Sequence, residues 1–293
     1  MQTTKLRLSF KGIKIQAHIY EPDGEIMHRA LFVSSPFGDP VSWSALVHKL
    51  TGIGCLCVCA DLPGFGFNPS SAEAPQDNDT RAQILWGLLD EIEARRNEDM
   101  CKWHLIGHGS GCAAVMHMAL YQPDSTHSRV LLNPVIERFM FAPVHGILSS
   151  AKCEKLLLAL HSRCIKKQKS FRRLLSRLYG TVLPKERISA LYKALNRKGV
   201  AESLARHMRE GYKTNRDVYS VESPVMLIWG ANDRIFGGQI PSYLTRKLPK
   251  AEKHVLKCAH MSMETAPDAV CDYLRGWFRF SEGREKGVVR PSH

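Results

Sequence analysis

The chain has 293 residues and a mass of 33.0 kDa, 44% of them apolar and 24% charged, which suits one large domain and excludes disordered, collagenous and coiled-coil proteins. Its net charge of +13 is concentrated: residues 151–217 hold 18 Lys or Arg against 5 Asp or Glu, so the flanks together are neutral. No apolar run reaches the roughly 18 residues that span a bilayer, and Met1 to Leu6 lacks a secretory core, so a cytoplasmic chain is expected.

Taken in order, Leu6-Arg-Leu-Ser-Phe10 and Ile13-Lys-Ile-Gln-Ala17 alternate in and out around Lys11-Gly12 and predict a hairpin. β-rich apolar runs follow at Ala30 to Ser34, Cys55 to Cys59, Trp103 to Ile106, Arg129 to Leu132, Pro224 to Trp229 and His254 to Lys257. Helical patterns separate them, over Trp43 to Leu50, Arg81 to Arg95 and Ala113 to Tyr121, and a last one covers Asp268 to Phe278. Such alternation requires a parallel sheet covered on both faces. Nine cysteines without framework spacing read as reduced thiols. Cys55, Cys57 and Cys59 alternate inside an apolar run, which makes them small buried strand residues rather than metal ligands.

Residues 136–217 carry no strand pattern. Phe171, Leu174, Leu175 and Leu178 repeat at helical spacing, as do Ile188, Leu191, Tyr192 and Leu195, then Val200, Leu204 and Met208. This is a basic helical cap inserted between two strands. The core comprises 1–135 and 218–280, and 281–293 reads as a disordered tail. Lys166, Lys167, Lys169, Arg172, Arg173 and Arg177 surround the first apolar stripe. A basic amphipathic helix of this kind suits an anionic membrane surface, hence peripheral association, or an acidic ligand such as a coenzyme A thioester. Nucleic acid is disfavoured, because no aromatic-interleaved or zinc-type module accompanies the charge.

Four signatures then stand in one order, each after a predicted strand. They are Asp61-Leu-Pro-Gly64-Phe-Gly66, Gly107-His108-Gly109-Ser110-Gly111, Trp229-Gly-Ala-Asn-Asp233 and Ala259-His260-Met-Ser-Met-Glu264. With them the chain resembles the α/β-hydrolase superfamily over nearly its whole length. The resemblance implies a mostly parallel sheet of roughly eight strands with helices on both faces and a helical cap. It also implies a nucleophile elbow at 107–111, an acid at Asp233 and a base at His260. Independently of any family, an imidazole titrates near neutral pH and needs a carboxylate to fix its tautomer.

The elbow departs from the pattern. With Gly107 and Gly111 at its small positions, the nucleophile falls at Gly109, which has no attacking atom. Shifting the frame to Ser110 puts His108 at a small position. Ser110 therefore stands as a displaced nucleophile, a helix cap or a backbone donor to an oxyanion. Where relatives carry His-Gly, this chain reads Ser35-Pro36-Phe37-Gly38; Pro36 cannot donate, so the oxyanion hole falls to the N–H groups of Phe37 and Ser110.

The first functional expectation is a cofactor-free, metal-free esterase- or thioesterase-like hydrolase acting on a small acyl substrate. In it Asp233 orients His260, and His260 activates Ser110 or a water above Gly109. The second, from another class, is a non-catalytic binding or scaffold protein whose basic cap contacts an anionic ligand or surface. The chain also resembles the N-myc downstream-regulated group, which keeps this fold without a working triad, and the glycine at 109 favours such a reading.

Overall fold

The computed structural model describes residues 1–69, 74–98, 101–137, 151–236 and 240–285. Eight strands form one sheet in the order β1-β2-β4-β3-β5-β6-β7-β8. They are β1 (Gln2–Phe10), β2 (Ile13–Glu21), β3 (His28–Ser34), β4 (Cys55–Asp61), β5 (Trp103–His108), β6 (Thr126–Leu132), β7 (Val225–Gly230) and β8 (Glu252–Leu256). The leading hairpin pairs antiparallel, β2 also pairs antiparallel with β4, and every other pairing is parallel. Strands β4 and β5 are buried along their whole length, as a sheet covered on both faces requires.

On the faces lie α1 (Ser44–Thr51), α2 (Asn78–Arg95) and α3 (Gly111–Tyr121). Between β6 and β7 run α4 (Ala151–His161), a π-helical turn (Ser162–Lys166), α5 (Gln168–Tyr179), α6 (Lys185–Leu195) and α7 (Val200–Glu210). Residues 151–217 contain no strand, and residues 138–150 of the expected cap lie outside the described residues. Phe171, Leu175 and Leu178 of α5 are buried, whereas Lys169, Arg172, Arg173 and Arg177 are exposed. The apolar stripe of α5 is thus spent on internal packing, and its charge faces water.

Two further helices, α8 (Ile240–Lys247) and the short α9 (Ser262–Thr265), precede α10 (Pro267–Glu285). The expected disordered tail of 281–293 is corrected over 281–285, since the helix continues to Glu285; 286–293 lie outside the described residues. The final turns of α10 are pinned to the sheet. Glu282 Oε1 accepts the Nδ1–H of His28 at 2.7 Å and the Nε2–H of His104 at 3.0 Å. These are metal-ligand residue types, but their bonds to one another and that of His104 Nδ1 to Ser128 at 2.8 Å make them a structural pin.

The described cysteines are free thiols, and Cys55, Cys57 and Cys59 are buried. Burial lifts the Cys57 and Cys59 thiols well above their usual range, which keeps them protonated and inert. Among the described residues no helix is long and apolar enough to cross a membrane.

Strand order positions the site. From β3 the chain moves to β4 on one side, and from β5 to β6 on the other, while β3 and β5 are neighbours. That reversal is where open α/β sheets place a crevice at their carboxyl ends. The turn after β3 and the turn after β5 therefore meet.

Candidate active site

The elbow forms as its glycines dictate. A Cβ on Gly107 would lie 2.6 Å from Cys112 Cα, and one on Gly111 would lie 2.4 Å from the Val33 carbonyl oxygen, so neither position admits a side chain. Between them the backbone of Gly109 takes φ +55. Its N–H donates to Leu132 O at 3.0 Å, and its carbonyl accepts from Val135 N–H at 2.9 Å. The strained conformation expected of a nucleophile is present at 109, and glycine occupies it.

Asp233 and His260 come together from the ends of β7 and β8. The His260 Nδ1–H donates to Asp233 Oδ2 at 2.6 Å, and both side chains are 4% exposed. Asp233 Oδ1 accepts the N–H groups of Ile235 and Phe236 at 3.1 and 2.9 Å. Burial opposes ionisation of Asp233, but the imidazole and these two donors outweigh it and hold its pKa at about 2. A carboxylate can only accept, so Nδ1 of His260 carries a proton, and the neutral tautomer of this imidazole is the one with its lone pair on Nε2. Sequence reasoning missed Asn133, which follows β6 at φ +44 and donates its side-chain N–H to Asp233 Oδ2 at 3.2 Å. Its legible signal was an Asn at a strand end, level with the other site residues.

Nε2 of His260 faces position 109. A Cβ built on Gly109 would lie 3.4 Å from it, 3.0 Å from Ser35 Cβ and 3.4 Å from Ser35 Oγ. His108, the second elbow residue, is wholly buried; its Nε2–H donates to the His260 carbonyl at 3.0 Å, and its Nδ1 bonds Ser35 Oγ at 3.2 Å.

Ser110, the expected displaced nucleophile, lies outside the strained position of the elbow. Its backbone is helical (φ −74, ψ −14), one residue beyond the strained position, and its side chain makes no capping bond. Its Oγ makes no hydrogen bond to His260. Its hydroxyl instead neighbours the Tyr212 phenol, which burial pushes up and Ser110 draws down. The elbow reverses at 109, so only that position presents a side chain to the base. The backbone donors fare better. The turn after β3 closes with Gly38 N–H on Ser35 O at 2.9 Å, and the N–H groups of Phe37 and Ser110 take no backbone acceptor among the described residues. Both residues line the cavity above the elbow.

That cavity measures about 290 Å³, near the lower end of small-molecule sites. Its floor includes Ser35, Gly109 and His260, and its roof includes Leu157, Ile165 and Leu178 of the helical insertion. No Lys, Arg, Asp or Glu lines it among the described residues. The expectation that the basic segment grips an acidic substrate therefore does not extend to this cavity. α5 turns its leucines inward and its cations outward.

Arg187 of α6 ties the helical insertion to the core. It donates to Asp39 Oδ2 and Oδ1 at 2.9 and 3.1 Å, to Ser42 Oγ at 2.9 Å, and to Glu264 Oε1 and Oε2 at 2.9 and 3.1 Å. The Tyr179 hydroxyl adds a bond to Glu264 Oε1 at 2.7 Å. Burial works against this guanidinium, but its two carboxylate partners more than offset it and raise its pKa.

A doubly covered parallel sheet, an elbow at 107–111 and an Asp–His pair behind it define a protein of the α/β-hydrolase class. Residues 30–273 match the model of the alpha/beta hydrolase family, and the chain belongs to that family. It is 24% identical over 223 residues to a 2-hydroxy-6-oxononadienedioate/2-hydroxy-6-oxononatrienedioate hydrolase of Burkholderia vietnamiensis, covering 73% of each chain. It is 26% identical to the dihydrolipoyllysine-residue acetyltransferase component of an acetoin cleaving system from Pseudomonas putida, over 76% of this chain and 56% of that one. Among solved structures, the epoxide hydrolase CorEH superposes with a TM-score of 0.76 at 16% identity, covering 95% of this chain and 99% of the other.

Proposed function

We propose that this chain is a cofactor-free hydrolase of apolar esters, thioesters or related carbonyl compounds, in which a water replaces the nucleophilic side chain. One observation carries the reading: a side chain at Gly109 would begin 3.4 Å from His260 Nε2. The base thus addresses position 109 and the cavity that opens above it. In the reaction the water oxygen bonds to the carbonyl carbon while its proton passes to Nε2. Asp233 stabilises the imidazolium, and the N–H groups of Phe37 and Ser110 receive the oxyanion. Collapse breaks the bond to the alcohol or thiol, which takes the proton back from Nε2. With no covalent intermediate, turnover is slow.

The apolar roof selects an uncharged acyl portion, and the outward cations of α5 attract an anionic membrane surface by charge alone. The test is a panel of short- and long-chain esters and thioesters, run beside a fluorophosphonate probe. Turnover without covalent label, abolished by His260→Ala, is expected. No turnover of any ester, with tight retention of apolar ligands, would support the second reading, a binding protein. The glycine at 109 is what favours that alternative.

A further inference from the structure

We propose that Ser35 and His260 together form a two-acceptor seat for one water molecule at Gly109, making Ser35 a second residue that holds the nucleophile. The inference rests on the hydrolytic reading for its catalytic consequence, while the seat itself rests on geometry. The strand register brings the two residues together: β3 pairs with β5 at Phe32↔Ile106 and Val33↔Gly107, and the same register two residues on sets Ser35 opposite Gly109. The contact is borne out by the 3.0 Å separation between Ser35 Cβ and a Cβ on Gly109. Ser35 has grown into part of the space that a side chain at 109 would use.

The hydrogen-bond directions are fixed by the groups at the far ends. A carbonyl only accepts, so His108 must carry a proton on Nε2 to bond His260 O at 3.0 Å. Burial lowers the pKa of His108 to about 3, so this imidazole is neutral and its Nδ1 has a lone pair. Ser35 Oγ–H therefore donates to Nδ1 at 3.2 Å, and the hydroxyl has only lone pairs left for the site. On the other side Asp233 fixes a proton of His260 on Nδ1, so the base form of this imidazole has its lone pair on Nε2. Both free lone pairs belong to atoms 3.4 Å from the point where a Cβ on Gly109 would stand. That point lies one bond from Gly109 Cα, so the water sits beyond it, in the cavity that Ser35, Gly109 and His260 line together.

Two acceptors around one small space are satisfied by an atom bearing two protons. A water donates one proton to Nε2, the one it loses on attack, and the other to Ser35 Oγ, which it keeps into the product acid. Its own lone pairs are then directed away from both residues, toward the cavity. An alcohol hydroxyl at this point could satisfy only one acceptor. Ser35 itself is a poor nucleophile, because its proton would have to pass to His108, a base suppressed by burial.

The experiment joins crystallography of the wild-type chain and Ser35→Ala with kinetics on the best ester of the panel. Alanine keeps the Cβ and removes only the acceptor. The expected wild-type electron density shows one solvent oxygen within hydrogen-bond distance of both Ser35 Oγ and His260 Nε2. In Ser35→Ala that oxygen shifts or weakens, and kcat falls about tenfold with KM within about twofold, the size of one lost hydrogen bond. An oxygen held by His260 alone, with kcat unchanged in Ser35→Ala, would overturn the seat and leave the hydrolytic reading standing. Fluorophosphonate on Ser35 would also overturn it, by making Ser35 the nucleophile. An oxygen bridging both residues in a chain that hydrolyses nothing would support the seat and remove the hydrolytic reading.

Discussion

Restoring a side chain at Gly109 is the perturbation with the most direct readout. In Gly109→Ser the new Cβ starts 3.4 Å from His260 Nε2, so one further bond brings Oγ to hydrogen-bonding distance. Two costs accompany it. A residue with a side chain at φ +55 is strained by about 1 kcal/mol or more. The 3.0 Å approach to Ser35 Cβ requires a shift of a few tenths of an ångström. Together they amount to about 1–2 kcal/mol, or a fall in Tm of about 2–3 °C for a chain of this size. General-base assistance contributes about a hundred- to ten-thousandfold, so the variant gains an esterase burst and a fluorophosphonate label at 109, both lost with His260→Ala. Adding Ser35→Gly recovers part of the Tm, whereas Ser35→Ala does not, because alanine retains the crowding Cβ. A folded Gly109→Ser protein without label or turnover would refute the alignment of the Asp233–His260 pair with the elbow.

Acid should unfold the protein early. His104 and His108 are fully buried, and burial lowers their pKa values to about 4 and about 3; the unfolded chain takes up protons below about 6.5 that the folded chain refuses, so stability falls by up to about 1.4 kcal/mol per pH unit for each histidine between roughly pH 6 and 4. A Tm that stays level over that interval would contradict this. Arg187→Ala strands Asp39 and Glu264, whose side chains are 8% and 16% exposed, and is expected to cost about 3 kcal/mol, measured by urea denaturation; a loss under about 1 kcal/mol would show the cluster to be ornamental. Sedimentation with phosphatidylserine vesicles should fall steeply from low to physiological salt, and fall again in a Lys166→Glu, Lys167→Glu, Arg173→Glu variant. Salt-independent binding would point instead to apolar insertion.

The strands were legible wherever an apolar run had to be buried on both faces, as at Cys55 to Cys59 and Pro224 to Trp229. Bounds differ by one to four residues, since β1 begins at Gln2, β2 runs to Glu21, and Thr126 and His127 extend β6 without continuing an apolar pattern. The elbow frame was legible because two glycines allow only one numbering. At Ser110 residue type and geometry diverge: a hydroxyl suggests a nucleophile, whereas the turn assigns the strained conformation to its neighbour Gly109. Periodicity marked the inward stripe of α5 but gave no sign of what it faces, so the charge-free cavity stayed hidden. The bonds of His108 to Ser35 and of Arg187 to Asp39 join residues 73 and 148 apart in the chain. Nothing local announces such pairs. Helix α8 escaped because Pro241, Thr245 and Arg246 interrupt its short apolar pattern. The last turns of α10 escaped because their anchors, His28 and His104, lie on distant strands.

The Arg187 cluster has a mechanical consequence. Asp39 lies just beyond the turn that carries the Phe37 N–H, Glu264 lies four residues beyond His260, and one guanidinium from the helical insertion grips both. α6 does not itself line the cavity, but a ligand bulky enough to lift the helical insertion as a body pulls through Arg187 on the oxyanion turn and the histidine loop together. Poor fit is thereby transmitted as misalignment of the reacting groups, so discrimination among substrates would register in kcat more than in KM.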